Sequence, residues 1–199
     1  MGLLFLQVEA PASHQGVGPR VHEIDWGRPF SAPRLTAEWL AKPFQEQLGQ
    51  VSEWVEDIEA VIGFGWGAHL LLCALESAAQ LGHRSPKGLF FSCFFNRGQF
   101  TGHDGKHYRL PRAETVRSAL LRNGVLADAD FRFVHGLQDT AAPVEELEFL
   151  STTSFPVQRV RAGHRLLGRG QEAVQAELLR LQRSLRHREA HSSLVETSD

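Results

Sequence analysis

The sequence predicts an α/β fold: a doubly wound, mainly parallel sheet of about six strands. Three observations carry that prediction. Short apolar runs alternate with stretches of helical periodicity along nearly the whole chain, the rhythm of strands joined by crossover helices. One run, Ala60 to Phe64, enters a turn with glycine at 63, 65 and 67 and continues directly into an apolar helix pattern. The length of 199 residues suits one well-buried domain and is short for two.

The elements follow in order. Leu3 to Val8 is a continuous apolar run, as in a central parallel strand. A loop rich in Pro, Gly and Ser follows from Ala10 to Pro19, and Val21 to Asp25 alternates as a second strand would. Leu35, Trp39, Phe44, Leu48, Val51, Val55 and Ile58 recur at helical spacing, in a helix that Pro43 divides or kinks. Val61 to Phe64 is the third strand, and the helix after it runs from Trp66 to Leu81 and stops at Gly82. Leu89 to Phe95 is the fourth strand. A segment over 96–129 holds a Gly- and His-containing loop and a helix from Ala113 to Arg122. Phe131 to Val134 is the fifth strand, Glu145 to Leu150 a short helix and Val157 to Val160 the sixth strand. Gln171 to Leu185 carries Val174, Leu178, Leu181 and Leu185 on one stripe, the face of an amphipathic helix. The expected organisation is one domain over residues 1–187, with 96–129 as a lid candidate and 188–199 as a frayed polar tail.

Composition excludes several function classes. Hydrophobic content of 42% and charged content of 22% are those of a globular protein. A formal charge of −2 gives no field to gather nucleic acid or an anionic membrane, so neither is an expected partner. No apolar run reaches the ~18 residues of a membrane span. The start lacks the basic region of a signal peptide, so the expected location is cytoplasmic. Cys73 and Cys93 fall inside helix and strand patterns and read as buried thiols. The sequence sets no oligomeric state.

The glycine turn has two readings. Gly63-x-Gly65-x-x-Ala68 meets the dinucleotide-binding pattern, which needs an acidic residue about 20 positions on. The next strand ends without a carboxylate, and Trp66 would crowd a pyrophosphate. The turn also resembles the nucleophile elbow of the α/β-hydrolases, G-x-S-x-G, with Gly65 at the serine position. Glycine at 63 and 67 suits a close approach of strand and helix, and Gly65 suits the strained backbone of the central residue.

Two later segments extend the resemblance. His135-Gly-Leu-Gln-Asp139-Thr-Ala-Ala-Pro143 resembles the H-G-x-x-D-x-x-x-P stretch that carries the triad acid in many α/β-hydrolases. Ala162-Gly163-His164 resembles the segment that carries the triad histidine. The family order is nucleophile, acid, histidine, and positions 65, 139 and 164 keep it. The chain is similar to the small, compact α/β-hydrolases of esterase and thioesterase type that lack the first two strands. The resemblance implies that Asp139 accepts from His164 Nδ1–H, and that the Trp66 N–H serves an oxyanion hole. Where the family commonly has His-Gly after the opening strand, this chain has Gln7-Val8-Glu9, and Glu9 is unfavourable beside a developing oxyanion.

Gly65 offers neither hydroxyl nor thiol, so acyl-enzyme chemistry is closed to it, whether as a natural loss or an introduced knockout. The resemblance implies an esterase- or thioesterase-type protein with a small ester, thioester or related acyl compound as ligand and no cofactor. Two readings stand beside it. One is a non-hydrolytic binding or partner protein on the same fold. The other is an enzyme using His164 and Asp139 as a general base for proton abstraction, cyclisation or direct water attack. Ser92 and Cys93 are substitute nucleophiles, Cys93 fitting a core position better. His103-Asp104-x-x-His107 lacks a third ligand and reads as a polar loop, leaving no expected metal site. Arg180, Arg183, Arg186 and Arg188 form a solvated helix face.

Overall fold

The computed structural model describes residues 2–8, 20–95, 99–101 and 107–196. The chain opens with β1 (Gly2–Leu6), a 3-10 turn (Val21–Glu23), β2 (Phe30–Ser31), α1 (Ala37–Leu40) and α2 (Phe44–Trp54). Next come β3 (Ile58–Phe64), α3 (Trp66–Gln80), β4 (Lys87–Phe91), β5 (Gln99–Thr101), β6 (His107–Arg109) and α4 (Ala113–Leu120). It closes with β7 (Phe131–Gly136), a 3-10 helix (Val144–Thr152), β8 (Val157–Val160) and α5 (Arg169–Glu196). Six strands form a wholly parallel sheet in the order β2-β1-β3-β4-β7-β8, and β5 pairs β6 antiparallel.

Both faces of the sheet are covered. Leu4, Leu6, Val61, Phe90, Phe131 and Phe133 pack with buried residues of α2, α3 and α4. Leu3, Phe5, Ala60, Ile62, Leu89, Phe91 and Val134 pack on the other side against Val21, Trp26 and α5. The strict alternation along each strand follows from the period of two in side-chain direction. Residues Gly67 to Glu76 of α3 are all buried, which explains a helix that is apolar on every side. From β1 the chain turns outward to β2 and then crosses back to β3, so the strand order reverses beside β1 and β3. In open parallel sheets, ligand crevices form beyond the carboxyl ends of strands at such a reversal. Here that places Gln7 and Gly65 at the crevice.

Several boundaries differ from the sequence reading. The second strand is Phe30–Ser31, and Val21–Glu23 is a 3-10 turn. The indole N–H of Trp26 donates to Val21 O at 3.1 Å and closes that turn, so the alternation of Val21 and Ile24 does not mark a strand. The helix pattern from Leu35 divides at Pro43, with Thr36 Oγ1 accepting from Trp39 N as the cap of α1. Asp57, at φ 57°, turns the chain after α2, so Ile58 belongs to β3. Ser92, at φ 46°, ends β4 four residues before the apolar run stops at Phe95. The helix α5 continues past Leu185 as far as Glu196. Among the described residues no helix is long and apolar enough to cross a membrane.

Candidate active site

The turn from β3 into α3 is built by backbone proximity. A Cβ at position 63 would lie 2.5 Å from Ala68 Cα, and one at 67 would lie 2.3 Å from Leu6 O. Both distances exclude a side chain, so glycine at 63 and 67 lets β1, β3 and α3 meet. Gly65 stands between them at φ 53°, ψ −119°, in a region that favours glycine. Its N–H donates to Phe91 O at 2.9 Å, and its carbonyl accepts from His69 N at 3.2 Å. A Cβ at 65 would stand 3.2 Å from His164 Nε2 and 3.6 Å from Phe94 Cε2. Position 65 therefore faces an imidazole.

A second backbone clasp delivers that imidazole. Leu137 N–H donates to Val160 O at 2.8 Å and Gln138 N–H to Ala162 O at 2.9 Å. A Cβ at Gly136 would meet Ala162 O at 2.3 Å, so only glycine permits the loops after β7 and β8 to close on each other. His164 Nδ1–H then donates to Asp139 Oδ2 at 2.8 Å. The Asp139 side chain is fully buried, while that of His164 is 26% exposed. Asp139 Oδ1 accepts from the N–H groups of Ala141 (3.0 Å) and Ala142 (2.8 Å). Three hydrogen bonds thus offset the desolvation of a buried carboxylate. The rings of Phe64 and Phe94 flank His164, with centroids at 5.7 and 5.1 Å. His164 Nε2, facing Gly65, has no hydrogen-bond partner among the described residues.

The remaining sequence candidates fall around this centre. Trp66 opens α3; its indole N–H donates to Gln47 Oε1 at 3.1 Å, and its ring packs with Phe94, Leu110, Ala113 and Ala142. The backbone of Gln7 lies beside the turn, its N 3.1 Å from where a Cβ at 67 would be. Val8 is exposed and bridges to Leu35. Glu9, His103 and Asp104 lie outside the described residues; His107 begins β6. Among the described residues no group of three or more His, Cys, Asp or Glu is placed to hold a metal ion. An open groove of about 490 Å³ lies at the end of α4, lined by Ser118, Arg122, Gly124 and Thr152, away from His164.

Ser92 does not face the imidazole nitrogens: its buried hydroxyl donates to His164 O at 2.7 Å. It therefore clamps the backbone of the histidine. Cys93 is buried, and burial pushes its thiol well above the ordinary range; burial likewise raises Cys73 to about 12. Neither is a thiolate at neutral pH. Burial lowers His69 to about 4, so this histidine is neutral, with its Nε2–H on Pro111 O at 2.7 Å. The sequence reading missed the clamp by Ser92 and the aromatic flanks of His164. Only the presence of Ser92 within an apolar strand run signalled either.

No family model and no curated protein matches the chain. Solved structures do match it over almost its full length. Alpha/beta hydrolase domain-containing protein 10 from mouse superposes with a TM-score of 0.64 at 11% identity, over 94% of this chain and 90% of that one. A sugar hydrolase from Lactococcus lactis gives 0.61 at 12% identity, over 94% and 90%. The esterase domain of a Rhodothermus marinus protein gives 0.58 at 13% identity, over 92% and 86%. The fold is that of the α/β-hydrolases. In this hydrolase fold the six-stranded parallel sheet carries a His–Asp pair at its carboxyl edge, opposite a glycine turn.

Proposed function

We propose that the chain is an esterase- or thioesterase-type protein in which Gly65 holds the nucleophile's place, so that it binds acyl compounds without forming an acyl-enzyme. The observation that carries this reading is the 3.2 Å separation between His164 Nε2 and the Cβ position of residue 65. At that separation a serine hydroxyl would fall within reach of a base whose far nitrogen is held by Asp139. The ligand is a small ester, thioester or related acyl compound, bound at the carboxyl edge of β1 and β3. Trp66 N–H, with the backbone at Gln7 and Val8, is the proposed binding edge for its carbonyl oxygen.

One observation favours a second reading. His164 Nε2 is unpartnered among the described residues and the side chain is partly exposed, which suits a general base acting on a bound ligand or water without a protein nucleophile. A fluorophosphonate probe tests the first reading. The unaltered chain stays unlabelled and the Gly65→Ser variant is labelled. Stoichiometric labelling of the unaltered chain would assign the nucleophile elsewhere and end the reading.

A further inference from the structure

A second buried histidine lies behind the Asp139–His164 pair. His135, on β7, is fully buried, and its Nε2 lies 2.6 Å from Ala142 O. A carbonyl only accepts, so Nε2 carries the proton and, in the neutral ring, Nδ1 is bare; Nδ1 has no partner among the described residues. The same residue, Ala142, donates its N–H to Asp139 Oδ1. The 139–142 turn is thus gripped twice, by His135 at a carbonyl and by Asp139 at two N–H groups. With Oδ1 engaged on those amides, Oδ2 is the oxygen turned to His164.

We infer that His135 is a positioning residue for the Asp139–His164 pair, fixing the 139–142 turn so that one carboxylate oxygen is committed to His164. The inference rests on the reading of that pair as the acid and base of the site. His135 Nε2 is also 3.8 Å from Asp139 Oδ2, close enough that a positive imidazole would compete with His164 for the carboxylate. Burial disfavours the charged form of His135 and lowers its pKa, so it acts as a neutral donor. An apolar residue of similar size would fill the space and leave Ala142 O without its partner.

The test follows the His164 Nδ1 proton in the full-length protein by NMR. A carboxylate-bound imidazole N–H shielded from solvent gives a far-downfield resonance, assigned here by its loss in His164→Gln. The unaltered chain shows this resonance. His135→Gln, whose side-chain amide can donate to Ala142 O, retains it; His135→Leu loses it while far-UV circular dichroism is unchanged. Retention in a folded His135→Leu protein, or loss in both variants, would overturn the inference and leave His135 a packing residue. If His135→Leu does not fold, His135→Asn replaces it: its shorter amide falls short of Ala142, so loss of the resonance is expected and retention overturns the proposal. Absence of the resonance from the unaltered chain would instead remove the pair itself. Position 65 plays no part in this measurement, so the two failures are distinguishable.

Discussion

The turn between β3 and α3 and the paired loops after β7 and β8 meet at one point but are specified differently. The turn is specified by absence. Gly63 and Gly67 permit backbone approaches that no side chain would allow, and Gly65 between them adds no functional group. The loops are specified by presence: Asp139 and Ser92 hold His164, and His135 holds Ala142 O, through directed hydrogen bonds over sequence separations of up to 72 residues. A fold can therefore keep the shape of a site in one region and its chemistry in another. Gly136 shows that the division is not absolute, since the loops also close through a glycine contact.

The comparison breaks most severely at Gly67. A Cβ there would be driven against Leu6 O and C, both backbone atoms, at 2.3 and 2.6 Å. Neither strand nor helix can yield without disturbing the sheet. Gly67→Ala is expected to cost about 4 kcal/mol or more, the range of severe core disruptions. Gly49, in α2, has nothing within 4 Å of its Cβ position. The same substitution there should stabilise by roughly 0.5–1 kcal/mol through helix propensity. Urea denaturation of both variants reads the contrast. Equal midpoints would show that proximity does not define the turn.

A second prediction separates chemistry from stability in the loops. Asp139→Asn keeps an oxygen for the Ala141 and Ala142 amides if its NH₂ takes the place of Oδ2. That NH₂ then meets His164 Nδ1, which must give up its proton to accept, leaving Nε2 protonated and unable to act as a base. In a Gly65→Ser background, ester turnover should fall by about 10⁴-fold, with a stability change of only about 1 kcal/mol. A comparable loss of folding would mean that Asp139 serves mainly to cap its own turn.

The two regions were also unequally legible in the sequence. The strand–turn–helix was readable because its signals are local: an apolar run, glycines at spacing two and a further apolar run. The order of turn, acid and histidine was readable for the same reason, as each follows a recognisable strand. The clamp of Ser92 on His164 was not, because a hydroxyl-to-carbonyl bond across 72 residues leaves no periodic trace. Nor was the end of β4 legible. Ser92 breaks the strand by its φ of 46°, while the apolar run continues through Phe94 and Phe95 for reasons of packing against His164 and Phe133. The misplaced second strand has the same origin. Val21 is buried as a strand residue would be, but it belongs to a turn closed by Trp26.

The smallest expected effect, and the one that joins the two regions, is the stability of Gly65→Ser. At φ 53° and ψ −119° a serine carries a conformational penalty of about 1–3 kcal/mol that glycine escapes. Glycine costs ~0.5–1 kcal/mol through the greater freedom of the unfolded chain, which serine recovers. The new Cβ also stands 3.2 Å from His164 Nε2, a contact that needs a shift of a few tenths of an ångström. His164 is held by Asp139, Ser92 and two phenylalanine rings, so that shift loads the loops as well as the turn. A hydrogen bond from the serine hydroxyl to Nε2 returns about 1 kcal/mol. Strain and entropy together favour glycine by about 1 kcal/mol, and the hydrogen bond offsets much of that difference. Gly65→Ser should therefore melt slightly lower than the unaltered chain. Adding His164→Ala removes both the close contact and the hydrogen bond. In that background the full strain of residue 65 appears, and the Gly65→Ser change should cost more than it does alone. Thermal melts of the four proteins at matched pH give the coupling directly. A zero coupling would mean that the serine and His164 do not meet, and the elbow and the pair would then be neighbours without being one site.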